Sequence, residues 1–162
     1  MGRRVFFSFH YEGDVWRANQ VRHSWVTKPD RETAGFTDAA SFEAVKKKGA
    51  DAIERWIDRQ LQGTSVTVVL IGAETADREY VQYEIKRSHE KRNGLLGIYI
   101  HNLKDQDGYT DTRGRNPFSE VDVIDDQSGN RISLSKYVEI YDWVRDDGYN
   151  NLGDWVEEAA RR

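Results

Sequence analysis

The carboxylate best placed for chemistry in this sequence is Glu84. On a helix, Glu84 shares a face with Tyr80, four residues earlier, beside an apolar stripe. A glutamate at the edge of such a stripe can be partly buried, where its charge would stabilise a positive centre that develops on a substrate. Spacing alone leaves a second interpretation open, and favours it: a surface glutamate paired with Arg87 or Ser88, one turn further along.

The other residue types that commonly do chemistry are sparse. The sequence has no cysteine, which excludes a thiolate nucleophile, a thiolate metal site and a disulfide. The histidines are His10, His23, His89 and His101, and none pairs with another at metal-ligand spacing. We therefore predict that the protein holds no metal. His10 is a candidate for substrate contact, the alternative being a loop residue hydrogen-bonded to backbone.

The elements that must position Glu84 alternate between strand and helix. Short, nearly continuous apolar runs predict strands that are covered on both faces, as in a parallel sheet. These runs are residues 5–9, 65–71, 97–100 and 138–141, with a further short strand expected at 35–37. Helices are predicted at residues 14–26, 50–61, 78–92 and 152–160.

Alternation from the first residues onward predicts a doubly wound α/β fold. The handedness of parallel crossovers limits the mostly parallel sheet to a flavodoxin-like order, with helices on both faces. Residues 102–136 lack this alternation of strand and helix, and we interpret them as an insertion. Within it, two β-prone runs at 121–124 and 131–134 flank a turn sequence, which predicts a small β-hairpin. We expect one domain over residues 1–162.

Ligands of doubly wound sheets bind at the carboxyl ends of the strands. This rule directs attention to residues 8–14, 37–41, 72–84 and 101–102. Neither a GxGxxG motif after the first strand nor a GxxxxGK[ST] motif is present, which argues against Rossmann-type dinucleotide binding and P-loop chemistry. A response-regulator receiver is also excluded, because acidic residues are missing from the ends of the first and central strands.

Composition narrows the partners and the location. The chain of 162 residues carries a net charge of −4 and has a pI near 5.6, which predicts no nucleic-acid partner. No apolar run approaches the ~20 residues that span a bilayer, so no membrane partner is predicted. The opening residues 1–4 do not resemble a signal peptide, and we expect a cytoplasmic protein.

Several segments resemble TIR domains. Residues 4–11 (RVFFSFHY) resemble their opening strand, residues 64–72 their central strand, and residues 80–85 the helix motif that carries the glutamate of enzymatic TIR domains. More narrowly, the chain is similar to the ThsB-like TIR family, the sensor of the bacterial Thoeris anti-phage system. Residues 21–28, 36–39 and 141–150 also resemble that family.

This resemblance implies an enzyme that takes NAD⁺ as its substrate, with no cofactor. Members release nicotinamide and form a cyclic ADP-ribose isomer, which diffuses to a separate effector. The family's catalytic glutamate falls on Glu84. Residues 102–136 differ from the family's insertion, so the resemblance does not fix the product's linkage, and self-association stays open.

We hypothesise that several residues near Glu84 contact the substrate. Aromatic side chains would pack the rings and exclude water, although simple core packing is an alternative for Phe9. The residues assigned to substrate contact are Phe9, His10, Tyr11, Arg17, Asp38 and Tyr83. Two other functions remain open: a non-catalytic TIR-like scaffold that mediates protein interactions, and a nucleoside hydrolase or deoxyribosyltransferase that uses a similar carboxylate.

Overall fold

A computed structural model describes residues 3–162, and its main feature is a five-stranded parallel sheet. The strands are β1 (Arg3–Ser8), β2 (Arg31–Thr33), β3 (Val66–Ile71), β4 (Gly94–Tyr99), β5 (Asp122–Ile124), β6 (Arg131–Ser133) and β7 (Glu139–Asp142). The helices are α1 (Tyr11–Val26), α2 (Ala39–Lys46), α3 (Ala50–Leu61), α4 (Glu79–Glu90) and α5 (Gly148–Arg161). Short 3₁₀ turns lie at Thr75–Asp77, Pro117–Glu120 and Leu134–Lys136.

The strand order confirms the predicted fold class. The order is β2-β1-β3-β4-β7, and every pairing in this sheet is parallel. Chain order reverses between β1 and β3, where β1 pairs with β2 on one side and β3 on the other. This is the flavodoxin-like arrangement, in which the carboxyl ends of the strands form the usual ligand edge.

Helices cover both faces of the sheet, because side chains of a strand alternate between its faces. Phe7, Val68 and Leu70 point to one face and pack with residues of α1 and α5. Phe6 and Val69 point to the other face and pack with residues of α2, α3 and α4. All six residues of β3 are buried, as its nearly continuous apolar sequence predicts.

The insertion contains the predicted hairpin. Strands β5 and β6 pair antiparallel, with Val123 opposite Ile132. The hairpin forms its own two-stranded sheet and does not extend the parallel one. Before it, residues 100–116 contain no regular helix or strand.

The prediction of a short strand at residues 35–37 is wrong. The edge strand β2 lies earlier, at Arg31–Thr33, and residues 34–38 are irregular. The β2 sequence Arg-Glu-Thr has no apolar signal because its side chains are partly or fully exposed at the edge of the sheet. The following helix α2 was not predicted; Asp38 caps it by accepting a hydrogen bond from the Ser41 amide at 2.7 Å.

The other predicted boundaries agree with the observed ones to within four residues, and those of α3 coincide with them. Among residues 3–162 no helix is both long enough and apolar enough to cross a bilayer. The prediction that the chain opens without a signal peptide rests in part on Met1 and Gly2, which lie outside the described residues.

Candidate active site

Glu84 lies on the inner face of α4 and is 1% exposed. Tyr80, one turn earlier, is buried on the same face, as their spacing predicts. The surface interpretation of Glu84 is wrong, because both of its proposed partners are engaged elsewhere. Arg87 binds the Asp58 carboxylate, and Ser88 shares a hydrogen bond with a hydroxyl of β3.

Two buried hydroxyl groups hold the Glu84 carboxylate. Ser8 Oγ, at the carboxyl end of β1, donates to Oε1 at 2.7 Å. Thr37 Oγ1, in the irregular segment between β2 and α2, donates to Oε2 at 2.6 Å. Both are short hydrogen bonds to a charged acceptor, which are stronger than bonds between neutral groups. The carboxylate therefore has a fixed orientation.

The electrostatics of this site keep Glu84 ready to change protonation state near neutral pH. Burial raises the pKa of Glu84 to about 7, and the hydrogen bonds from Thr37 and Ser8 oppose that rise by stabilising the charged form. A carboxylate that is desolvated, oriented and ionised above neutral pH can stabilise a cation beside it.

Aromatic rings pack together beside the two residues that hold Glu84, since Phe9 follows Ser8 and Phe36 precedes Thr37 in the sequence. The Tyr11 and Phe36 rings stack, with centroids 5.2 Å apart and planes within 12°. Phe9 is buried and tilts against Phe36 at 5.7 Å. Phe36 is itself 41% exposed, and the Arg22 guanidinium lies over it at 4.7 Å. The structure thus brings Phe9 and Tyr11 together against Phe36, the residue before Thr37.

Glu12 is a second carboxylate near the site that the sequence interpretation did not single out. Its Oε2 accepts from the Ala39 amide at 2.9 Å, and its Oε1 accepts from the Tyr80 hydroxyl at 3.3 Å. Glu12 thus joins α1 to the start of α2 and to α4. The imidazole of His10 lies 3.8 Å from Glu12 and is nearly buried, and that burial lowers its pKa. In the sequence, the signal for Glu12 is its position just after β1, among the residues at the carboxyl end of a strand.

Arg17 is buried rather than open to a ligand. It is 4% exposed and donates to the carbonyl oxygens of Leu103 and Tyr109, each at 2.8 Å. It also lies 3.5 Å from Asp14, whose pKa burial raises to about 6. Arg17 therefore holds the loop after β4. The carboxylates of this loop within 4 Å of Arg17 belong to Asp105 and Asp111.

Tyr83 and Asp38 do not converge on Glu84. The Tyr83 ring packs against Phe42 at 5.8 Å and lines a groove of about 450 Å³ between α4 and the hairpin. Glu84 does not line this groove. It also does not line a second groove, of about 700 Å³, beside the first residues of β4. Asp38 is partly exposed, and its carboxylate caps α2.

The described residues contain no set of three acidic, histidine or cysteine side chains placed to hold a metal ion. The imidazole ring of His101 makes an edge-on contact with the Tyr99 ring, with centroids 5.8 Å apart. In the sequence, His101 is far from His10 and His23 and twelve residues from His89.

Comparison with known proteins places these features in a family. Residues 6–105 match the family model described as Thoeris protein ThsB, TIR-like domain. A protein of Bacillus cereus (strain MSX-D12) named "Putative cyclic ADP-D-ribose synthase ThsB1" is 39% identical over 191 residues, covering 96% of this chain and 100% of the relative. The family match includes Ser8, Thr37 and Glu84, and it ends before the hairpin.

Proposed function

Because this chain belongs to the TIR-like family of Thoeris ThsB proteins, we propose that it cleaves NAD⁺ and forms a cyclic ADP-ribose isomer that activates a separate anti-phage effector. The name of the relative refers to a cyclic ADP-ribose synthase. The observation that carries the proposal is the buried Glu84 carboxylate, oriented by Ser8 and Thr37 at the ligand edge of the sheet.

Cleavage breaks the bond between the nicotinamide nitrogen and the ribose anomeric carbon. The bonding electron pair leaves with nicotinamide, which becomes neutral, so no general acid is required. Positive charge develops on the ribose, as in glycoside hydrolysis. The Glu84 carboxylate stabilises that charge most in the transition state, where it is largest.

Cyclisation then requires a nucleophile from the same molecule. A nitrogen or hydroxyl of the adenosine half attacks the anomeric carbon, forms the new bond and releases a proton to solvent where the attacking atom carried one. Attack by water instead would give linear ADP-ribose. The aromatic side chains of Tyr11, Phe36 and Phe9 would favour cyclisation by excluding water.

Substrate must replace one of the two hydroxyl groups that cover Glu84. Ser8 belongs to the central part of the sheet, paired with β3, whereas Thr37 lies in an irregular segment. We therefore assign the displacement to Thr37. A ribose hydroxyl donates a hydrogen bond just as a threonine hydroxyl does, so it can take the place of Thr37 on Oε2.

Nicotinamide release tests the assignment of Glu84. Purified protein incubated with NAD⁺ should release nicotinamide, and Glu84→Gln should reduce the rate to background because the amide cannot stabilise the cation. Glu90→Gln is the matched control, since Glu90 is an exposed glutamate of the same helix. Wild-type turnover by folded Glu84→Gln would remove Glu84 from the mechanism. Mass spectrometry and NMR of the product identify its linkage.

One observation favours the alternative of a non-catalytic scaffold: Glu84 is sealed from solvent. A protein-free filtrate separates the two functions. Filtrate taken after incubation with NAD⁺ should activate the cognate effector, and filtrate from Glu84→Gln should not. If the effector instead responds only when the protein is present, and responds equally to Glu84→Gln protein, the scaffold function is correct.

A further inference from the structure

Thr37 Oγ1 lies within hydrogen-bonding distance of two acceptor oxygens. Glu84 Oε2 is 2.6 Å away, and Oε1 of the Gln60 side chain is 3.0 Å away. A hydroxyl group has one hydrogen and can donate to only one of them. With an ionised Glu84, this arrangement leaves one oxygen–oxygen contact without a hydrogen between the atoms.

The other end of the Gln60 amide has the opposite problem. Its Nε2 is buried and meets no acceptor among the described residues. A buried donor without a partner destabilises the folded protein, because it has lost its hydrogen bonds to water. The two ends of a carboxamide have the same size and shape, so turning the amide by half a rotation exchanges oxygen and nitrogen. Nε2 then donates to Thr37 Oγ1, so the close contact gains a hydrogen and the buried donor gains a partner.

We propose that Gln60 is a positioning residue for Glu84. Gln60 acts through Thr37, in a hydrogen-bond relay whose direction reverses with the protonation state of the Glu84 carboxylate. With ionised Glu84, Gln60 Nε2 donates to Thr37, and Thr37 donates to Glu84. With protonated Glu84, the carboxyl donates to Thr37, and Thr37 donates to Gln60 Oε1. An amide offers both a donor and an acceptor, so Gln60 serves both states.

The relay makes the ionised state easier to reach. A hydroxyl that receives a hydrogen bond becomes a stronger donor, because bonds in a chain polarise one another. Gln60 therefore strengthens the bond from Thr37 to the carboxylate, and this bond to a charged acceptor gains more than the neutral bonds of the protonated state. Loss of the Gln60 amide should weaken that bond and raise the pKa of Glu84, which burial already holds at about 7.

The direct test is the titration of Glu84 by NMR, which requires no enzymatic activity. The side-chain carboxyl carbon of Glu84 is followed in protein labelled with ¹³C-glutamate and is assigned by its loss in Glu84→Gln. In Gln60→Met, which keeps the length of the side chain, the midpoint should rise by about half a pH unit or more. Gln62→Met is the matched control, because Gln62 is exposed at the end of α3, and its midpoint should equal the wild-type one.

Enzyme kinetics test the same inference through catalysis. The effect of Gln60 on catalysis rests on the proposed function. The pH dependence of kcat/KM reports the free protein, in which Thr37 still covers Glu84. For Gln60→Met, kcat/KM should fall about three- to eight-fold at pH 6.5 and stay nearly unchanged at pH 9. Adding Gln60→Met to Thr37→Val should have no further effect, because the intermediary hydroxyl is already gone.

The outcomes separate the two proposals. An unchanged Glu84 midpoint in Gln60→Met, or an undiminished effect in the Thr37→Val background, overturns the relay. If Gln60→Met does not fold, Gln60→Leu gives the answer: its side chain is also uncharged and cannot donate to Thr37, so the Glu84 midpoint should rise, and an unchanged midpoint rejects the relay. If the midpoints move as expected but wild-type protein never releases nicotinamide, the relay stands and the proposed function falls.

Discussion

Glu84 should lower the stability of this protein at neutral and alkaline pH, and Glu84→Gln should restore it. Burial raises the pKa of Glu84 from 4.5 to about 7. Between these two values the folded protein keeps a proton that the unfolded chain has lost. The contribution of Glu84 to the free energy of unfolding is therefore constant below about pH 4.5, falls as pH rises from 4.5 to 7, and is constant again above 7.

The magnitude follows from the difference between the two pKa values. At ~1.4 kcal/mol for each pH unit, the full penalty is about 3 kcal/mol, and the part that develops between pH 5 and pH 8 is about 2.5 kcal/mol. Glutamine does not titrate, so the stability of Glu84→Gln relative to wild type should increase by about that amount over this range. In a chain of this length the corresponding change in the difference between the two melting temperatures is roughly 5–10 °C.

Urea unfolding of both proteins at pH 5 and pH 8 measures this difference. The buried carboxylate of Asp14 also titrates, but it is present in both proteins and cancels in the comparison. Glu90→Gln should show no comparable dependence on pH, because Glu90 is exposed. A Glu84→Gln advantage that is the same at pH 5 and pH 8 would refute the argument that burial holds the proton on Glu84.

Three other predictions concern the loop after β4 and the chemistry. Arg17→Met should lower the free energy of unfolding by about 3 kcal/mol or more, because it leaves Asp14 buried beside no cation; a loss below ~1 kcal/mol in urea unfolding would contradict this role. Gly114→Ala should displace the loop, because a Cβ there would collide with the Gly72 carbonyl, and faster hydrogen exchange in the loop reports the change. Gly35→Ala, where a Cβ meets open space, should leave exchange unaltered. Chelation should leave nicotinamide release intact, and a loss that a divalent ion restores would show a metal requirement.

Much of the frame could be predicted because its signals are local. The apolar run of β3 and the helical period of α3 are set by neighbouring residues, and both elements lie within a residue of the predicted bounds. The spacing of Tyr80 and Glu84 predicted that they share a face of α4, which both residues do, but it did not decide that this face is buried. The edge strand β2 could not be read in the same way, because an exposed three-residue strand has no apolar pattern.

The partners of Glu84 could not be read from the sequence. Ser8 and Thr37 lie 76 and 47 residues from it, and each occupies an ordinary polar position that only the strand order brings to the carboxylate. Gln60 reaches the site because α3 packs on α4. Hydrogen bonds between distant residues leave no periodic trace in the chain.

The contrast between Glu84 and Tyr83 shows where the boundary lies. The sequence alone determined that α4 is a helix and that adjacent residues on it point about 100° apart. Only the packing of α4 against the sheet decided that Glu84 turns inward to Ser8, while Tyr83 turns toward Phe42 and the hairpin. The side-chain pattern along a helix fixes relative directions, whereas the surface on which the helix packs fixes what each direction meets.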